Sequence, residues 1–84
     1  MDKTIEVKIK FIGSIATSMG MKEITHTIFA DFDNGIEDIR MLVQSTAGNV
    51  MFTILLNGCS IELNQKVLFD INDVFSVVPI VLGG

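Results

Sequence analysis

Residues 73–84 read DVFSVVPIVLGG. Taken as a strand from Val74, this stretch puts Val74 and Val78 on one side and Phe75, Val77 and Pro79 on the other, so both sides are apolar. Residues 50–56, VMFTILL, behave the same way, with Phe52, Ile54 and Leu56 opposed to Met51 and Leu55. Strands of this kind occur where helices cover both faces of a sheet. Whether that holds here depends on how many helices the rest of the chain supplies.

It supplies one clear helix. In ADFDNGIEDIRMLVQSTAGN, residues 30–49, Ile36, Ile39, Leu42 or Val43, and Ala47 recur at helical spacing. Asn34 is the expected N-cap, with Glu37 three residues on as in a capping box, and Gly48 is the expected left-handed stop. Glu37 and Asp38 suit the positive end of the helix dipole.

The other segments read as strands and turns. In residues 5–12, IEVKIKFI, apolar Ile5, Val7, Ile9 and Phe11 alternate with Glu6, Lys8 and Lys10, the period of a half-buried strand. Residues 13–22, GSIATSMGMK, are small and punctuated by glycine, which predicts a loop. Residues 23–29, EITHTIF, are rich in β-branched types and predict a second strand in a hairpin with the first. Asn57-Gly58 marks a tight turn after the third strand. A short return strand follows around Ile61 and Leu63, and a connection over 64–73 turns at Asn72-Asp73. The order is β-β-α-β-β-β. The fold class is α+β: a mixed sheet of four to five strands with one main helix on one face, in a single domain over 1–84.

One helix covers one face, so the second apolar face is left for a partner. The residues expected to dock there are Phe75, Val77, Pro79, Met51 and Leu55.

Composition narrows the classes of function. The 84 residues are 49% apolar and 19% charged, with a net charge of −4. The six basic residues are scattered, so no nucleic-acid surface is expected. No run approaches the roughly 20 apolar residues of a membrane span. The charged, alternating start MDKTIEVKIK is unlike a signal peptide, and one cysteine allows no internal disulfide. A cytoplasmic protein is expected. Cys59 is read as an incidental, partly buried thiol, and His26, between Ile24 and Ile28 on one strand face, as a sheet residue and no metal ligand. In DFDNGIED the glycine falls fifth from Asp31 and Leu42 twelfth, so the acids do not form an EF-hand loop. No metal and no bound cofactor are expected.

The last five residues, Ile80 to Gly84, read as an extended, flexible tail. Two closing glycines arise by chance in only about 0.5% of chains at average usage. Glycine lets backbone pass through a narrow channel, and a terminal carboxylate with a reference pKa of about 3.3–3.7 is ionised at neutral pH. Ile80, Val81 and Leu82 form an extended peptide that a partner can grip.

Over essentially its whole length the chain resembles the ubiquitin-like β-grasp sulfur carriers, the group of molybdopterin synthase small subunits and thiamine-pathway carriers. DVFSVVPIVLGG looks like the molybdopterin-type ending, with Pro79, Val81, Gly83 and Gly84 in the family's positions, and LLNG at 55–58 resembles its strand and Asn-Gly turn. Ile80 stands where the family often has a second proline, and Leu82 where Ala, Ser or Thr is usual. The resemblance implies that a ubiquitin-activating-like adenylyltransferase uses ATP to adenylate the Gly84 carboxylate. Sulfur then displaces AMP to give a thiocarboxylate, which donates sulfur to an acceptor on a molybdopterin synthase large subunit or another acceptor enzyme. Catalytic acids and bases are expected on the partners. A ubiquitin-like modifier conjugated through Gly84, a carrier for thiamine or another pathway, and a binding subunit with an incidental diglycine are the alternatives.

Overall fold

The computed structural model describes residues 3–63 and 66–80. Strand β1 (Thr4–Phe11) is followed by a short helix α1 (Ser14–Met19), then β2 (Glu23–Phe29) and the main helix α2 (Phe32–Ala47). Strands β3 (Phe52–Leu56) and β4 (Cys59–Ser60), a 3-10 turn (Ile61–Leu63) and β5 (Val74–Pro79) complete the elements among the described residues. The five strands form one mixed sheet in the order β2-β1-β5-β3-β4. β1 and β2 are the expected antiparallel hairpin, while β5 enters the centre, parallel to β1 and antiparallel to β3.

The periodicity of β1 places Val7, Ile9 and Phe11 in the core. Ile28, Ile54, Leu56, Phe75 and Val77 join them from the other strands, and Ile36, Ile39 and Val43 of α2 close over the top. An aromatic row runs inward from Phe32 through Phe69 to Phe75. Its ring centroids lie 5.7 and 5.0 Å apart, the inner pair edge-to-face.

Three local expectations are corrected. The expected loop at 13–22 contains α1. Ile15 and Met19, four residues apart, both bury their side chains, and Gly20 ends the helix in the left-handed conformation with its N–H bonded to the Ala16 and Thr17 carbonyls. The N-cap of α2 is Asp31 and not Asn34: the Asp31 carboxylate accepts from the Asn34 backbone N–H (3.1 Å) and side-chain amide (2.7 Å). The helix therefore starts three residues earlier than the capping-box reading, and Glu37 pairs with Arg40 (3.9 Å) instead of capping. The return strand is Cys59–Ser60 only; Ile61 buries within the 3-10 turn and Leu63 is exposed.

The early helix start brings α2 against the end of β2. A Cβ at Gly35 would sit 2.5 Å from the Phe29 carbonyl oxygen and 2.8 Å from the Phe69 ring. Only glycine fits there. The neighbouring Asp38 carboxylate accepts from the Phe29 N–H at 2.9 Å.

Candidate functional site

The residues expected to matter lie along β5 and the segment beyond it. Pro79 closes the strand, half-buried, with its ring 3.6 Å from where a Cβ on Gly13 would stand. Gly13 has φ of 57°, so glycine there serves both the turn into α1 and this close approach. Ile80 is the last described residue. Its N–H donates to the Met51 carbonyl (3.0 Å), which anchors the departing chain to the segment before β3. Ile80 and Met51 are 42% and 55% exposed, and with Ser14, Ile15, Ser18, Val50 and Pro79 they line an open groove of about 340 Å³. Val81, Leu82, Gly83 and Gly84 lie outside the described residues.

Three of the expected docking residues, Phe75, Val77 and Pro79, lie on the helix side of β5. Phe75 and Val77 are fully buried beneath the helices, so no partner can reach them. Alternation alone left open which side of β5 the helices cover, and the register decides it. Phe75 and Val77 pair with Ile9 and Phe11 on one side and Leu56 and Ile54 on the other, all core residues. The uncovered side of β5 presents Val74, Ser76 and Val78, flanked by Thr53 and Leu55 of β3 and by Lys8 and Lys10 of β1. Leu55 is on this open side as expected, half-buried among its neighbours.

A clasp holds the start of β5. Asn57 and Gly58 form the expected tight turn, both with positive φ (52° and 85°). The Asn57 side-chain carbonyl accepts from the Val74 N–H (2.9 Å), its N–H donates to the Val74 carbonyl (2.8 Å), and its amide nitrogen donates to Asp73 (3.0 Å). The Asp73 carboxylate also accepts from the Asp70 backbone N–H (2.8 Å) and the Lys66 ammonium (2.8 Å). Asp73 is 3% exposed. Burial pushes its carboxyl upward, but the bonds from Lys66, Asp70 and Asn57 outweigh that and hold it below the usual carboxylate range. Lys66 is raised in turn, first by its bond to Asp73. The sequence showed both halves, LLNG and the Asp before the last strand. Their junction across 16 positions had no sequence signal.

The remaining candidates do not assemble into a site. His26 pairs with Val7 at the far strand of the sheet. Cys59 is exposed, which corrects the expectation of a partly buried thiol: it begins β4 at the sheet edge. Among the described residues, no three His, Cys, Asp or Glu side chains gather as a metal would need, and no helix is long and apolar enough to cross a membrane.

No protein-family model matches the chain, and no curated protein matches it. Solved structures do. The small archaeal modifier protein 1 (SAMP1) of Methanosarcina acetivorans superposes with a TM-score of 0.72 at 17% identity, covering 98% of this chain and 99% of that one. The HVO 2177 protein of Haloferax volcanii gives 0.68 at 22%, covering 96% and 88%. Urm1 of Sulfolobus solfataricus gives 0.64 at 20%, covering 87% and 99%. What is shared at these identities is the fold: a ubiquitin-like β-grasp, with a five-stranded mixed sheet and its helices on one face.

Proposed function

We propose that this protein is a small ubiquitin-like carrier of the modifier and sulfur-carrier kind, activated at the carboxylate of Gly84 by an adenylating partner. One observation carries the reading. The central strand of a β-grasp sheet runs to the sheet margin at Pro79 and leaves it at an exposed Ile80, with two residues between it and a diglycine. The Gly84 carboxylate attacks the α-phosphate of ATP, pyrophosphate leaves, and an acyl-adenylate forms. A nucleophile then displaces AMP. A target lysine amine gives an isopeptide bond, and a sulfur nucleophile gives a thiocarboxylate.

Conjugation is the better supported of the two outcomes, because one of the proteins sharing the fold over nearly its whole length is described as a modifier. Sulfur donation to a molybdopterin precursor is the second reading, favoured by the DVFSVVPIVLGG ending. In both, the protein contributes the tail and a docking face while the partners contribute acid, base and ATP site. The docking face on this reading is the open side of the sheet around Leu55, Val74 and Val78, together with the groove beside α1 at the root of the tail, where Met51, Pro79 and Ile80 lie.

The test is the mass of the tryptic peptide that follows Lys66, VLFDINDVFSVVPIVLGG, after incubation with an adenylating enzyme, ATP and either a lysate or a sulfur donor. The peptide contains no methionine or cysteine, so oxidation cannot imitate an exchange of oxygen for sulfur. Recovery of the peptide joined to a lysine establishes conjugation, and an oxygen-to-sulfur exchange establishes carriage. An unchanged peptide with several activators, or equal modification after deletion of Gly84, overturns the proposal.

A further inference from the structure

β2 is an edge strand, and its outer side has a self-complementary sequence. In β1–β2 the Phe11 N–H donates to the Lys22 carbonyl (2.8 Å) and the Ala30 N–H to the Lys3 carbonyl (2.8 Å). With Thr4 opposite Phe29 and Lys10 opposite Glu23, even-numbered residues of β2 therefore turn their backbone groups toward β1. Glu23, Thr25, Thr27 and Phe29 turn theirs away from the sheet. The Phe29 N–H is taken by Asp38, which leaves Thr25 and Thr27 as the central free backbone groups of the edge.

Residues 24–28 read Ile-Thr-His-Thr-Ile, the same in both directions. A second copy laid antiparallel about His26 sets Thr25 opposite Thr27 and Thr27 opposite Thr25. Both are outward-facing positions, so each pair exchanges two backbone hydrogen bonds. His26 meets His26 on the two-fold axis as a non-hydrogen-bonded pair, and Ile24 meets Ile28. Threonine pairs and β-branched pairs are favourable across strands, and no like charges oppose each other within the ladder. At its ends the register brings Lys22 level with Ala30 and next to Asp31 of the second copy, so opposite charges approach at both ends.

A groove awaits the added strand. Between the β2 edge and α2 lies an open, mainly apolar trough of about 490 Å³, with Ile28, Phe29, Met41 and Leu42 among its walls. Met41 is 60% exposed although it lies on the groove side of α2. Even-numbered residues of β2 face the helices, so the half-exposed Ile24 of the second copy enters this trough beside Ile28 and Met41.

We infer that the protein forms a symmetric dimer by antiparallel pairing of β2 with β2 about His26, giving one continuous ten-stranded sheet. An isologous contact closes on itself, so the assembly stops at two. β5 is two strands away from this edge. The dimer therefore leaves both tail roots free.

The experiment is sedimentation equilibrium over a dilution series, joined to a cross-link. The wild type is expected to approach twice the protomer mass of 9.2 kDa at high concentration. Thr25→Pro removes an N–H that points away from β1, so it is expected to stay folded by circular dichroism and to sediment at the protomer mass. His26→Cys with Cys59→Ser is expected to form a disulfide-linked dimer under mild oxidation, since Cα atoms of a non-hydrogen-bonded pair lie about 4.5 Å apart, within disulfide reach. Lys10→Cys in the same background, far from the axis, is the control expected to form no disulfide-linked dimer. A protomer mass at every concentration overturns the inference. So does a dimer that survives Thr25→Pro, or a His26→Cys protein that cross-links no better than the Lys10→Cys control.

Discussion

Asp73 ties the turn after β3 to the start of the central strand, so its removal is a direct test of what holds β5 in place. In Asp73→Ala the Asp70 N–H and the Asn57 side-chain amide lose their acceptor. Hydrogen bonds to an ionised acceptor contribute about 1.5–3 kcal/mol each, and both donors are near the surface, where water replaces part of the loss. The low end for two bonds gives about 3 kcal/mol; Lys66 is given no share, because its ammonium is solvated once released. At about 4–8 °C per kcal/mol for a domain of this size, the melting temperature falls by roughly 12–24 °C. The pH dependence distinguishes this account from a loss of packing. The folded Asp73 carboxyl titrates below its ordinary value, so its contribution is complete above about pH 4–5 and is lost as pH falls through the folded pKa. Thermal melts of wild type and Asp73→Ala between pH 7 and pH 2 should therefore converge at the acid end. A melting difference under about 3 °C at neutral pH, or one that stays constant down to pH 2, refutes the reasoning.

Four further outcomes follow from the packing. Gly35→Ala gains up to about 1 kcal/mol of helix propensity but drives a methyl into the Phe29 carbonyl, and overpacking of this kind costs about 1–3 kcal/mol or more, so urea titration should show net destabilisation. Asp31→Ala should cost about 1 kcal/mol as the lost cap of α2, while Glu37→Gln should change stability by less than about 0.5 kcal/mol; the reverse order would restore the capping-box reading. Phe75→Ala should cost about 3–5 kcal/mol in the same titration, because the ring is fully buried against Phe69. Val78→Asp, on the open side, should leave the fold intact by circular dichroism and weaken adenylation of Gly84 by a partner enzyme; unchanged adenylation would remove that side from the docking face.

Much of the fold is written in local periodicity. The alternation of β1, the β-branched run of β2, the Asn57-Gly58 turn and the helical spacing of Ile36, Ile39 and Val43 each depend on neighbours within a few residues. These determined the α+β class and the order β-β-α-β-β-β of the strands and the main helix. Even the error at 13–22 had a local remedy: Ile15 and Met19 stand one helical turn apart between two glycines, and that spacing identifies α1. The start of α2 was misread because two cap candidates, Asp31 and Asn34, stand three residues apart, and sequence does not say which side chain receives the other's N–H. Only the tertiary structure decided which side of β5 is core. A strand apolar on both sides carries no period-two signal, so burial of Phe75 and Val77 follows from β5 entering between β1 and β3 in a register that aligns them with Ile9, Phe11, Ile54 and Leu56. The Asn57–Asp73 clasp and the free outer edge of β2 were hidden for the same reason. Pairing between residues far apart in the chain is set by strand order, and strand order is a property of the folded sheet.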